Sequence, residues 1–274
     1  MIAENLEKLF SLKDKIIVMT GAAGGIGREL AKGMAGIGAM LCACDVSEKG
    51  LAALKEEILA EGGDCRTFVM DVTKQESIQS AIDAIGAEFG RIDVLVNVAG
   101  INKREGIMDV KEETYDRIMD INLKSVFMVS RTVAPWMMKQ HKGSIINIGS
   151  HNATAMLGGC SVYGATKSGV LALTRSMAVE WAEWGIRANA VSPGHILTPL
   201  TQVTWDHPTR GDYLRDRIAM RRPGNPDEIL GLVVLLASDA SSYMSGSNYV
   251  IDGGCLCGGM PWDFDSEYRY HGEE

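Results

Sequence analysis

The sequence has few cysteines, and none in a pattern typical of a disulfide scaffold or a zinc site. The six cysteines lie at positions 42, 44, 65, 160, 255 and 257 of the 274 residues. Six is sparse for a chain of this length, no two form a C-x-x-C pair, and no histidine lies near a close pair at ligand spacing. We therefore predict reduced, buried thiols and no metal site. Cys42 and Cys44 are expected to share one face of a strand as small hydrophobic side chains.

The chain also lacks an excess of positive charge and any long apolar run. Its net charge of −8 at pH 7 argues against a nucleic-acid partner, because such proteins need a basic face. Apolar runs are all shorter than the roughly 18 residues of a membrane span, so we predict no membrane association. The first residues contain no basic region leading into an apolar one, which predicts a cytoplasmic protein without a signal peptide.

Proline is scarce too, with seven residues against 31 glycines, so rigid linkers are few. No linker, repeat or low-complexity tract divides the chain. We predict one catalytic domain over 1–254, with an irregular segment at about 195–222, and a C-terminal tail at 255–274. The tail is acidic and aromatic. Our hypothesis is that it folds over an active site, and the alternative is a solvated, frayed terminus.

Short apolar runs alternate with helical patterns along the chain. Helices are predicted at 25–36, 47–61, 163–183 and 226–237. Uniformly apolar strands are buried on both faces, and helical crossovers make such strands parallel. The fold class is therefore α/β, a single doubly wound Rossmann domain with a seven-stranded parallel sheet and helices on both faces. The predicted strands are 15–20, 39–45, 65–71, 92–97, 144–149, 186–192 and 247–252.

A glycine-rich loop joins the first predicted strand to the first predicted helix, with glycines at Gly21, Gly25 and Gly27. Such a loop lets the backbone approach a diphosphate, and the helix N-terminus offers free N–H groups. Asp45 ends the next strand, where a carboxylate accepts hydrogen bonds from an adenosine ribose and repels a 2′-phosphate. No Arg or Lys lies between Gly21 and Gly27. These features favour NAD over NADP, the alternative being that Asp45 is only a solvated strand end.

Three residues suited to proton transfer follow the fifth predicted strand. Ser150 comes directly after it, and Tyr163 and Lys167 lie one turn apart on the same face of the next helix. A free phenol is a poor base at neutral pH, but an adjacent ammonium stabilises the phenolate. The serine hydroxyl can hold a carbonyl or alcohol oxygen. A lone Y-x-x-x-K motif usually belongs to the surface of a helix and has no catalytic role. In a chain that also contains a nucleotide-binding loop, the same motif indicates acid–base chemistry.

These motifs, taken in order, resemble those of the short-chain dehydrogenase/reductase family, classical type. The resemblance covers roughly residues 10–254, and the opening at 9–13 is similar to gluconate- and deoxygluconate-type dehydrogenases. The matching positions are Gly21, Gly25, Ile26 and Gly27, Asp71, Asn97, Ala99 and Gly100, Asn122, Ser150, Tyr163 and Lys167, Pro193, Ile196 and Thr198, and the closing Asp252, Gly253 and Gly254.

The resemblance implies roles for these positions. Tyr163 is expected to be the general acid/base, Lys167 its electrostatic partner, Ser150 the orienting hydroxyl, and Asn122 the holder of a water. The cofactor is expected to contact the glycine loop with Ile26, and to meet Asp45 at its adenosine ribose and Asp71 and Val72 at its adenine. The other expected cofactor contacts are Asn97, Ala99, Gly100, Tyr163, Lys167, Pro193, Ile196 and Thr198. The resemblance also implies a homotetramer in which the helices of Asn122 and Tyr163 pair with their counterparts.

The substrate side is less defined. His151 and Asn152 beside Ser150, together with His195, would suit a sugar, sugar acid or polyol, so we expect a small alcohol or ketone substrate. Met156, Leu157 and Trp205 would suit a steroid, and a 3-oxoacyl reductase is a further alternative. The histidines are equally compatible with a surface loop. The alternative that is not an enzyme is a scaffold protein that binds NAD without catalysing a reaction.

Overall fold

A seven-stranded, fully parallel sheet forms the centre of the protein, in a computed structural model that describes residues 2–199 and 201–258. The strand order is β3-β2-β1-β4-β5-β6-β7, which confirms the predicted Rossmann-type α/β fold. β1, β4 and β5 are buried along their whole length, because helices cover both faces of the sheet. The strands are β1 Ile16–Thr20, β2 Met40–Asp45, β3 Asp64–Val69, β4 Val94–Asn97, β5 Gly143–Ile148, β6 Ile186–Pro193 and β7 Asn248–Ile251.

Helices connect the strands and pack on the two faces of the sheet. None of the described helices is long and apolar enough to cross a membrane. The helices are α1 Ile2–Phe10, α2 Gly25–Gly36, α3 Glu48–Ala60, α4 Gln75–Phe89, α5 Glu112–Met119, α6 Ser125–Lys139, α7 Ser161–Glu180, α8 Gln202–Trp205, α9 Pro208–Asp216 and α10 Asp227–Ala237, with a π-helical turn at Asp120–Lys124 and short 3₁₀ turns at His151–Ala153, Ala182–Trp184 and Asp239–Ser241.

Alternating residues of the central strands fill two hydrophobic cores, one on each face of the sheet. Ile17 and Met19 of β1 pack on one face with side chains of α2, α3 and α10. Val18 packs on the opposite face, among side chains of α4, α6 and α7. Cys42 and Cys44 are both buried in this second core, which confirms that they share a face of β2.

Some sequence expectations are wrong or incomplete. The patterns did not predict α1. The segment expected to be irregular at about 195–222 contains α8 and α9, which are too short and too polar to show a helical period of apolar residues. Two cysteines are not buried thiols, since Cys255 is half-buried and Cys257 is exposed. The described part of the tail forms turns after β7. The remainder at 259–274, on which the hypothesis of a covering tail depends, lies outside the described residues.

Candidate active site

An open cleft of about 1500 Å³ lies at the carboxyl edge of the sheet. It includes the point between β1 and β4 where the strand order reverses, the usual ligand site of open parallel sheets. Most of the predicted site residues line this cleft. They are Gly21, Gly25, Ile26, Gly27, Asp45, Asp71, Val72, Ala99, Gly100, Ser150, His151, Asn152, Tyr163, Lys167, Pro193, His195, Ile196 and Thr198. Asn97 and Asn122 are buried behind its wall.

The glycine loop between β1 and α2 is shaped so that only glycine fits at two positions. A Cβ at Gly27 would lie 2.1 Å from the carbonyl oxygen of Gly21, and a Cβ at Gly21 would lie 2.7 Å from the Cα of Ala99. Gly21 also has a φ of 65°, in the region that side chains avoid. The loop therefore presents bare backbone at the N-terminus of α2, which fits the diphosphate of a dinucleotide.

Asp45 lies beside this loop at the end of β2. Its carboxylate accepts hydrogen bonds from the backbone N–H groups of Ala23, at 3.1 Å, and Ser47, at 2.9 Å. Asp45 is therefore tied to the glycine loop and lines the cleft. Two residues after the end of β3, Asp71 accepts hydrogen bonds from the hydroxyl and the backbone N–H of Thr73. These bonds lower the pKa of its carboxyl group.

Lys167 is a buried ammonium without a carboxylate partner among the described residues. Its Nζ donates to the carbonyl oxygen of Ile148 at 2.7 Å and lies 5.6 Å from the ring centre of Tyr163. Burial lowers the pKa of Lys167 to about 8, because a charge is costly away from water. Burial raises the pKa of Tyr163, while the neighbouring Ser150 hydroxyl acts in the opposite direction. Helix α7 and the end of β5 thus bring the three predicted catalytic residues together.

Asn122 lies in the π-helical turn between α5 and α6. Its side-chain amide forms two 2.8 Å hydrogen bonds with the backbone of Ile101, one to the carbonyl oxygen and one from the N–H group. A Cβ placed on Gly100 would lie 3.5 Å from Asn122 Oδ1 and 3.7 Å from Lys167 Nζ. Asn122 therefore holds the loop after β4 close to the lysine. No pattern in the sequence singles out Ile101, because its contribution comes from the backbone.

Asn97 is linked to the core rather than to the cleft. Its side-chain nitrogen donates to Ser130 Oγ at 3.0 Å and to Asn147 Oδ1 at 2.8 Å. These bonds connect β4 with β5 and α6. Any contact of Asn97 with a cofactor is therefore left to its backbone.

The two histidines predicted on the substrate side lie against each other. The ring centres of His151 and His195 are 4.6 Å apart in an edge-to-face arrangement, and His195 lies 6.0 Å from the buried Trp205. His151 is only 6% exposed and His195 is half-buried, so both belong to the wall of the cleft rather than to a solvated surface loop. Burial lowers the pKa of both, that of His195 to about 4, and both imidazoles are therefore neutral at physiological pH.

Two further polar side chains, those of Asn152 and Arg104, lie in the wall of the cleft that contains the histidines. Asn152 Oδ1 is buried without a hydrogen-bond partner among the described residues. Arg104, an exposed residue in the loop after β4, lines the cleft and acts electrostatically on His195. The sequence did not point to Arg104, because its neighbour Lys103 is also basic and only the tertiary structure distinguishes the two. Met156, considered for an apolar substrate, is 59% exposed.

Comparisons with known proteins agree with this geometry. A family model described as enoyl-(acyl carrier protein) reductase matches residues 21–255. The chain is 39% identical over 245 residues to D-threitol dehydrogenase of Mycolicibacterium smegmatis, covering 89% of this chain and 94% of that protein. It is 38% identical over 245 residues to the 3-oxoacyl-[acyl-carrier-protein] reductase FabG of Thermotoga maritima, covering 89% and 99%.

A solved structure also matches this chain in fold and in sequence. The gluconate 5-dehydrogenase of Burkholderia cenocepacia, in complex with NADP and tartrate, superposes with a TM-score of 0.89 at 34% identity, covering 92% of this chain and 99% of that one. Sequence relatives and a solved structure thus match about nine tenths of this chain, and the solved structure shares its fold. The chain belongs to the short-chain dehydrogenase/reductase family.

Proposed function

We propose that the protein is an NAD-dependent oxidoreductase that interconverts a secondary alcohol and a ketone on a sugar, sugar acid or polyol. The observation that carries the proposal is the grouping of Tyr163, Lys167 and Ser150 in a cleft whose wall next to Ser150 is polar. That wall contains His151, Asn152 and His195. The names of the relatives support this substrate class, since they include a threitol and a gluconate dehydrogenase.

Each catalytic residue has a distinct task in this proposal. The Tyr163 phenol takes the proton from the substrate alcohol, or returns it to the ketone, and the Lys167 ammonium stabilises the phenolate. Ser150 Oγ holds the reacting oxygen. Asn122 keeps the loop after β4 in place beside Lys167 and holds the water through which the lysine communicates with solvent. A bound nicotinamide dinucleotide supplies hydride exchange.

The preference for NAD over NADP rests on Asp45. Its fixed carboxylate at the end of β2 would accept hydrogen bonds from the two ribose hydroxyls and would repel a 2′-phosphate. The nearest basic residue of α2, Arg28, is ion-paired with Glu57 and is therefore not free to bind a phosphate. The structural neighbour with NADP bound makes cofactor selection a point to be measured directly.

A sugar acid is favoured by Arg104. This cation lies at the cleft, and no carboxylate pairs with it among the described residues, whereas Lys103 is paired with Glu105 at 2.7 Å. A guanidinium binds a carboxylate through two parallel hydrogen bonds. Arg104 is therefore the residue that we assign to the acid group of the substrate.

The test is NAD(P)H formation across polyols, aldonic acids, sugars and hydroxysteroids, with NAD and NADP side by side and Tyr163→Phe as the inactive control. We expect turnover of one hydroxylated acid or polyol with NAD. Arg104→Gln should raise KM for an acid substrate, whereas Lys103→Gln, its neighbour, should not. Absence of turnover across the panel, with NAD still bound, would contradict the proposal and support a catalytically silent protein.

A second candidate function is reduction of a 3-oxoacyl thioester, which the 38% identity to FabG favours. It predicts NAD(P)H consumption with an acetoacetyl thioester and none with polyols. The same assay, run in the reducing direction, separates the two. The homotetramer that the family resemblance implies stays a prediction, as does the cytoplasmic location inferred from the first residues of the chain.

A further inference from the structure

Three residues that are far apart in the sequence meet at the carboxyl edge of the sheet. His151 follows β5, His195 follows β6 and Cys255 follows β7. These strands are parallel neighbours, so the residues after their carboxyl ends converge. One ligand atom from each residue lies within 4.8 Å of the other two. No spacing pattern in the sequence predicts this cluster, because neither histidine lies at ligand spacing from a cysteine along the chain.

The donor set is suited to a divalent transition metal. Two imidazole nitrogens and one thiolate sulfur bind Zn²⁺ at about 2.0–2.1 Å and about 2.3 Å, which places tetrahedral ligand atoms about 3.3–3.6 Å apart. The observed spacing of up to 4.8 Å is wider by about 1.2–1.5 Å. Small rotations of side chains on loops can close this distance. Asp, Glu and water, which select Mg²⁺ or Ca²⁺, are not among the three ligands.

A second observation points to a missing ligand in the same place. His151 is 6% exposed, and its Nδ1 is buried without a hydrogen-bond partner among the described residues. Buried polar atoms are almost always paired, so an orphaned imidazole nitrogen needs an explanation. A metal ion coordinated by the cluster would provide that partner.

The turn that carries Cys255 is itself held in place. The Asp252 carboxylate accepts hydrogen bonds from the N–H groups of Gly254, at 2.9 Å, and Leu256, at 2.8 Å, one on each side of the cysteine. Asp252 also interacts electrostatically with all three residues of the cluster. Its negative charge would offset part of the charge of a bound cation, as outer-shell carboxylates do in known metal sites.

We propose that His151, His195 and Cys255 together bind one Zn²⁺ ion or a similar divalent transition metal. On binding, the Cys255 thiol loses its proton to solvent and coordinates as thiolate, so the three ligands and the ion carry a net charge of +1. Three protein ligands leave a fourth position for water or a substrate oxygen. Because His151 and His195 line the cleft, an ion here would lie in its wall next to Ser150.

The test uses tag-free protein that is stripped with a chelator under reducing, anaerobic conditions and titrated with Co²⁺. We expect visible d–d absorption of a tetrahedral ion, a thiolate-to-cobalt charge-transfer band, saturation at one equivalent, and loss of both signals when Zn²⁺ is added. These signals need no substrate, so they are independent of whether the proposed reaction is correct.

Matched variants locate the site. Cys255→Ser should remove the charge-transfer band, whereas Cys257→Ser, an exposed cysteine two residues away, should keep it. His151→Gln and His195→Gln should each weaken Co²⁺ binding at least tenfold, and His141→Gln, a histidine stacked on Trp184 elsewhere, should not.

Absence of d–d absorption in the wild-type protein would overturn the proposal whether or not any variant folds. Retention of the charge-transfer band in Cys255→Ser would overturn it as well. Equal affinity for Co²⁺ in the wild type and both histidine variants would have the same consequence.

Discussion

Replacing Lys167 by Met should stabilise the protein while it abolishes activity. Lys167 is 4% exposed, and its Nζ has a carbonyl oxygen, that of Ile148, as its hydrogen-bond acceptor. Methionine has a similar unbranched shape and removes the buried charge. The price of that charge in the native protein can be read from the pKa of the lysine.

Burial lowers the pKa of Lys167 from 10.5 to about 8. The unfolded chain therefore binds the proton more tightly, and the destabilisation is fully present below pH 8 and disappears as the pH rises toward 10.5. The two pKa values differ by about 2.5, so the buried charge lowers the free energy of unfolding by about 3 kcal/mol at pH 7. About 2 kcal/mol of this destabilisation has disappeared by pH 9.5. Loss of the hydrogen bond to Ile148 removes about 1 kcal/mol. The net gain in the free energy of unfolding is about 2 kcal/mol at pH 7, or about 5 °C in Tm.

The assay is thermal and denaturant unfolding of the cofactor-free protein at pH 7 and pH 9.5. Lys167→Met should be more stable than the wild type at pH 7 and nearly equal to it at pH 9.5. Lys139→Met, at an exposed position at the end of α6, serves as the control and should show no such pH-dependent difference. A stability difference between Lys167→Met and wild type that is the same at both pH values would refute the reasoning, since packing changes do not depend on pH.

Three further predictions concern the cleft. Tyr163→Phe should lower kcat by at least about 10²-fold while NAD binding, measured by calorimetry, is unchanged, because only the proton-transfer group is lost; substantial residual turnover would show that another group is the acid/base. Asp45→Ala should weaken NAD binding and raise the ratio of kcat/KM for NADP to that for NAD, whereas Glu48→Ala, in the first turn of α3, should leave the ratio unchanged. Gly27→Ala should destabilise the protein by about 2 kcal/mol, because its Cβ would meet the Gly21 carbonyl at 2.1 Å. Gly24→Ala is the matched control, since a Cβ there meets nothing within 4 Å, and equal Tm values for the two variants would be inconsistent with a close-packed loop.

The features that could be predicted from the sequence are those set by near neighbours in the chain. Apolar runs predicted all seven strands to within a few residues. The pattern is clearest for β1, β4 and β5, because a strand buried on both faces needs continuous apolar sequence. The glycine loop and the Tyr163–Lys167 pair were equally visible, since a tight turn requires glycine and helix spacing places residues i and i+4 on one face. The order of these motifs was enough to indicate the family.

Only the tertiary structure decided what depends on contacts between distant segments. The π-helical turn that lets Asn122 bond the backbone of Ile101 leaves no mark in residue periodicity. Arg104 and Lys103 are adjacent basic residues in the sequence, and only the fold pairs Lys103 with Glu105 and places Arg104 at the cleft. Likewise, His151, His195 and Cys255 are unrelated by spacing and meet because three adjacent parallel strands end at the same edge of the sheet. The sequence alone therefore indicated the fold and the candidate proton-transfer residues. The side chains that parallel strand ends bring together, on which the proposed substrate and metal sites depend, required the folded chain.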